Sequence, residues 1–133
     1  MALRVKITSF SYKFSGIPED TSGNGGGFVF DCRFIENPGR LDEFKDLNGK
    51  DKPVIDFIET QTTMNDFLEN IFKIIDASIE NYIERNFTDL MVSFGCTGGQ
   101  HRSVYAAERA GFHIKKKFIN VVTDIRHFEL EKQ

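Results

Sequence analysis

The residues best suited to chemistry stand together in one stretch, Gly95-Cys96-Thr97-Gly98-Gly99-Gln100-His101-Arg102-Ser103, between a short apolar run and a helical pattern. A strand, a glycine-bearing loop and a helix start aim successive backbone N–H groups at one point, and such a point favours an anion. Gly98 and Gly99 open turn conformations closed to other residues, Arg102 offers a two-pronged donor, and Thr97 and Ser103 add hydroxyls. Gln100 and His101 complete a polar cluster suited to a phosphoryl group, placed where open α/β sheets keep their ligands.

A second chemistry fits the same residues. Cys96 and Arg102 are six apart with Gly99 between them, the C-x5-R spacing of cysteine-dependent phosphatases. There a thiolate attacks phosphorus, the arginine holds equatorial oxygens, and the hydroxyl of Ser103 would assist the thiolate as leaving group. A general acid is also needed, and Asp31 and Asp124 are the candidates, neither in a recognisable acid-loop context. Gly95 precedes the cysteine, where such phosphatases usually carry His. The reading as an enzyme is therefore the alternative, and binding without turnover is the first expectation.

The elements that must position this loop are legible in the periodicity. Leu3, Val5 and Ile7 alternate with polar residues, as in a half-buried strand; 16–27 (GIPEDTSGNGGG) predicts a flexible Gly-rich loop; 28–34 (FVFDCRF) resumes strand chemistry and ends before Asn37, Pro38 and Gly39. A short helix is predicted over 54–59. A capping-box-like run, Thr63 to Asp66, opens a long amphipathic helix to about Arg85 on the stripe Met64, Phe67, Leu68, Ile71, Ile75, Ile79 and Tyr82. Residues 90–94 predict a strand buried on both faces, Arg102 to the triple lysine a helix, and 118–125 a closing strand. The order predicts one small α/β domain over 1–133, with a mainly parallel central sheet flanked by helices around the strand, phosphate loop and helix unit.

Composition sets the outer limits. With 133 residues, 40% hydrophobic, 14 Phe and 3 Pro, the chain can bury a core and is neither disordered nor collagen-like. No apolar run reaches the roughly 20 residues of a membrane span, and MALRVKITSF lacks the apolar block of a signal peptide, so no membrane partner and a cytoplasmic location are expected. Cys32 and Cys96 read as reduced thiols, Cys32 in the core. No His or Cys has metal-ligand spacing, so neither a metal nor a cofactor is expected.

Charge is unevenly spread. Residues 1–40 carry 5 basic against 4 acidic side chains, residues 41–90 carry 5 against 12, and residues 91–133 carry 7 against 4. The last third is the face on which an anionic partner would dock, through Arg109, Lys115, Lys116, Lys117, Arg126 and His127.

At these residues the chain also resembles a family. GCTGGQHRSVYAAE, FDCRF followed two residues later by NP, the GKDKPVIDFIE stretch and the closing RHFELEK together resemble the C-terminal domain of RapZ-type RNase adapter proteins, from about Val5 to Lys132. The resemblance implies a small α/β module that binds small regulatory RNAs, senses an amino-sugar phosphate, serves a nuclease and self-associates. It implies that Thr97, Gly98, Gly99 and Arg102 receive the phosphate and that Asp31 approaches the sugar hydroxyls or amine. The family's pattern is departed from at Gly39, where relatives tend to have a bulky aromatic or His residue, and at Phe128. A nucleotide-binding domain with a Walker A loop precedes this module in the family. No G-x4-G-K-[ST] run is present here, so ATP or GTP binding does not carry over.

Overall fold

The computed structural model describes residues 2–133. Four strands, β1 (Arg4–Ser11), β2 (Phe28–Asp31), β3 (Asp89–Cys96) and β4 (Val122–His127), form one sheet in the order β2-β3-β1-β4, and every pairing is parallel. Three α-helices accompany them: α1 (Lys52–Gln61), α2 (Met64–Glu84) and α3 (Arg102–Lys117). The expected α/β class with a parallel sheet is therefore the observed one.

Topology decides where the helices go. The chain steps from β2 to β3 through α1 and α2, then from β3 past β1 to β4 through α3, in the same direction across the sheet both times. Right-handed crossovers made in one direction leave their helices on one face, and α2 and α3 touch each other there. That face holds the core: Val5, Ile7, Leu90, Val92 and Phe94 from the sheet meet Leu68, Ile71, Ile75 and Ile79 from α2 and Ala106, Ala107, Ala110 and Ile114 from α3. Full burial of one of these larger aliphatic side chains contributes about 1.5–3 kcal/mol. Gly111 lets α3 approach β4, since a Cβ there would lie 2.3 Å from Ile125 Cδ1.

The opposite face carries no helix. The connection from β1 to β2 crosses it, and Pro18 and Thr21 close a cavity over Lys6, Thr8 and Met91.

Boundaries moved in physically readable ways. β2 stops at Asp31, because from Cys32 the chain turns toward a 3-10 turn at Pro38–Arg40. α1 runs longer than expected, from Lys52. The capping box does not form: Thr63 makes no side-chain cap bond, and the hydroxyl of Thr62 accepts from the N–H of Met64 instead. β4 begins at Val122, four residues beyond Phe118, because the N–H of Phe118 still bonds to the Ile114 carbonyl at the end of α3.

Candidate anion-binding site at the turn between β3 and α3

β3 ends at Cys96 and α3 begins at Arg102, so Thr97 to His101 form the turn at the carboxyl end of the sheet, flanked by β1 and β2. Gly99 has φ +69°, and a Cβ there would lie 2.6 Å from Glu129 Cγ and 3.0 Å from the Ser11 nitrogen, so only glycine turns the chain this tightly. Helical bonding starts with Tyr105 N–H to the His101 carbonyl at 3.0 Å. Among the described residues, the eight backbone N–H groups from Thr97 through Val104 donate to no protein acceptor, and no side chain caps the helix. A helix start leaves its first N–H groups without intrahelical acceptors, and here the preceding turn adds more of them.

Arg102 sits at the first helical position and is only 4% exposed. Its Nη1 donates to the carbonyls of Arg33 at 2.9 Å and Ile35 at 2.7 Å, while its Nε is buried with no hydrogen-bond partner. Arg102 lines a cavity of about 250 Å³ together with Thr97, Gly98, Lys13, Phe14 and Asn37. A Cβ added at Gly98 would meet nothing within 4 Å, so the space above that glycine is open.

Gln100 and His101 also line this cavity, but their polar ends point elsewhere. Gln100 Nε2 donates to the carbonyls of Lys45 at 2.9 Å and Leu47 at 2.6 Å, and His101 Nε2 donates to the Phe44 carbonyl at 2.9 Å. With Arg102 they fasten the connection between β2 and α1 onto the start of α3, satisfying backbone groups that a loop must otherwise leave to water. A turn does have a use for these side chains, which the sequence reading reserved for a ligand. Burial holds the pKa of His101 below its ordinary value, so the ring is neutral there.

Cys96 is 2% exposed, and its thiol donates to Ser103 Oγ at 3.1 Å, the contact that the C-x5-R spacing anticipated. No carboxylate lines the cavity. Asp31 is not among its walls. Arg33 grips Asp31 through Nε and Nη2, at 2.7 Å for the shortest contact, and these hydrogen bonds hold the carboxyl below the usual range. Asp124 pairs with Arg4 and borders the helix-free face. Cys32 lies buried beside Cys96 where β2 leaves β3, and burial pushes its thiol well up.

The basic residues divide. Arg109, Lys115 and Lys116 are exposed on α3 with no ion pair among the described residues. Lys117 pairs with Asp76, and Arg126 pairs with Glu131. His127 is turned inward. Its Nε2 donates to Glu108 at 2.7 Å and its Nδ1 meets the Ser9 hydroxyl at 2.7 Å, so it links β4, β1 and α3 rather than facing solvent.

Sequence reasoning missed Ser11, Lys13 and Phe14. Ser11 ends β1 and Lys13 and Phe14 come just after it, where the carboxyl end of β1 lies beside that of β3. That adjacency was the available signal, because ligands in parallel sheets gather where neighbouring strands end.

The fold and the turn define a small parallel α/β domain with a glycine-bearing turn, rich in free backbone donors, at the carboxyl end of its sheet. The family model of the RapZ C-terminal domain matches residues 3–131, and the chain belongs to that family. It is 36% identical over 130 residues to a nucleotide-binding protein of Glaesserella parasuis, covering 98% of this chain and 43% of that protein. Similar matches are the nucleotide-binding proteins of Hahella chejuensis (37% over 128 residues, 96% and 42% covered) and Bifidobacterium adolescentis (38% over 129 residues, 97% and 39% covered). The chain thus spans about two-fifths of the length of these relatives. Among the described residues, no helix is long and apolar enough to cross a membrane, and no group of three or more His, Cys, Asp or Glu could hold a metal ion.

Proposed function

We propose that the domain is a regulatory binding module: its turn takes the phosphate of a sugar phosphate, and occupancy alters how it engages structured RNA and a nuclease in the cytoplasm. The observation carrying this reading is the coincidence, at one cavity, of unpaired backbone N–H groups on Thr97, Gly98, Gln100, His101 and Arg102 with the buried side chain of that arginine, whose Nε has no partner. A dianion supplies the acceptors that both lack. Membership of the RapZ C-terminal domain family supports the adapter role. The RNA surface rests on Arg109, Lys115 and Lys116, with Lys117 and Arg126 already paired within the chain. Three free cations make a weak monomeric site, so the reading includes self-association that joins several copies into one stripe.

Titration calorimetry with inorganic phosphate, glucose 6-phosphate and glucosamine 6-phosphate tests the phosphate half. Saturable binding that is lost in Gly98→Val supports it. That substitution adds a side chain only into the open space of the cavity. Absence of heat with all three ligands overturns it.

The contact between Cys96 and Ser103 favours a second reading, a cysteine phosphatase. Turnover of an aryl phosphate that disappears in Cys96→Ser would establish it. A 2% exposed thiol and a cavity without a carboxylate argue for binding without turnover.

A further inference from the structure

The cavity has an aromatic rim that a bare phosphate does not need. Phe14 is 62% exposed and lines the same cavity as Thr97, Gly98 and Arg102, with Lys13 beside it, its Nζ 5.3 Å from the Phe14 ring centroid. Phe34 and Phe112 are as exposed, but Phe14 lies on the wall of this cavity, where its flat face is within reach of whatever enters. The backbone that carries the ring is held in place. Ser11 Oγ accepts from the N–H groups of Lys13 at 3.1 Å and Phe14 at 3.0 Å and donates to the Thr97 carbonyl, so the turn bearing the ring is tied to the donor array. No acidic side chain lines the cavity, and nothing in its walls singles out an ammonium group.

We infer that the ligand of this site is a phosphate monoester carrying an aromatic base, a nucleoside 5′-monophosphate unit whose phosphate occupies the turn and whose base stacks on Phe14. The inference rests on the phosphate reading above and adds the base. Lys13 serves the phosphate, and Phe14 serves the base without regard to its identity, because every base has a π-face. Asn37 uses its side-chain oxygen to accept from Gly39 N–H, which leaves its amide N–H groups available at the wall of the cavity for a ribose or base acceptor.

Equilibrium binding of AMP, ribose 5-phosphate and inorganic phosphate to the wild-type chain, Phe14→Ala and Phe14→Tyr tests it. AMP should bind about tenfold more tightly than ribose 5-phosphate. Phe14→Ala should erase that margin and leave ribose 5-phosphate unchanged, while Phe14→Tyr should restore it. If ribose 5-phosphate and AMP bind equally to the wild type, the base inference is overturned and the phosphate reading stands; if neither binds, both fall. A 5′-phosphorylated tetraadenylate and its 5′-hydroxyl counterpart separate the two sources of such a unit. Binding of the phosphorylated strand alone assigns the site to RNA ends, and binding of AMP but neither strand assigns it to free nucleotides.

Discussion

Ser11 donates its hydroxyl hydrogen to the Thr97 carbonyl at 2.5 Å while accepting from the N–H groups of Lys13 and Phe14, so one buried oxygen joins the end of β1 to the anion turn. Replacing it strands three backbone groups at once. Ser11→Ala should lower stability by roughly 1–3 kcal/mol, the loss of three part-buried hydrogen bonds, as read from urea unfolding. Amide hydrogen exchange should quicken at 12–15 and at the turn before it changes in α2.

Arg102 has two tasks. Because its Nη1 holds the carbonyls of Arg33 and Ile35, Arg102→Met should destabilise the fold by roughly 1–3 kcal/mol as well as remove phosphate binding. Gly98→Val, with no such tasks, should weaken binding while leaving the urea midpoint in place. Equal loss of stability in both variants would contradict this division of labour.

His101 makes stability depend on pH. Burial keeps its folded-state pKa below the ordinary value of about 6.5, so on acidification the unfolded chain takes up the proton first. The stability this histidine brings is complete above about pH 6.5 and is lost as pH falls toward the folded-state pKa. The urea midpoint should therefore drop as pH falls below about 6.5, and His101→Gln should flatten that part of the curve relative to wild type.

The basic face of α3 predicts a salt signature. If Lys115 and Lys116 neutralise RNA phosphates, replacing both with Ala should reduce the slope of log affinity against log salt by about 1 for each lysine removed. Arg126→Ala should change it less, because Glu131 already occupies that guanidinium in the free chain. Filter binding of one structured RNA at several salt concentrations decides between these outcomes.

The fold was legible because periodicity reports burial directly: the stripe from Met64 to Ile79 is buried in α2, and the residues around Val92 form the central strand β3. The glycine turn was legible for the same local reason. What lay beyond reach was the use of each polar side chain. Gln100, His101 and Arg102 bond to carbonyls between 33 and 47, contacts more than fifty residues away that no local spacing encodes. His127 belongs to the same lesson, since it looked like a surface cation until the Glu108 and Ser9 side chains came to lie beside it. Lys13 and Phe14 were hidden because only the parallel pairing of β1 with β3 brings them to the turn.

If the amides between Thr97 and Val104 form an anion receptor, they must respond to phosphate before any other part of the chain. Titrating inorganic phosphate into the labelled chain and following its amide resonances tests this most directly. Saturable shifts at Thr97, Gly98, Gly99 and the first turn of α3, together with the Arg102 Nε–H signal, are the predicted result. Shifts scattered over Lys115, Lys116 and other surface cations, with the turn unmoved, would contradict it.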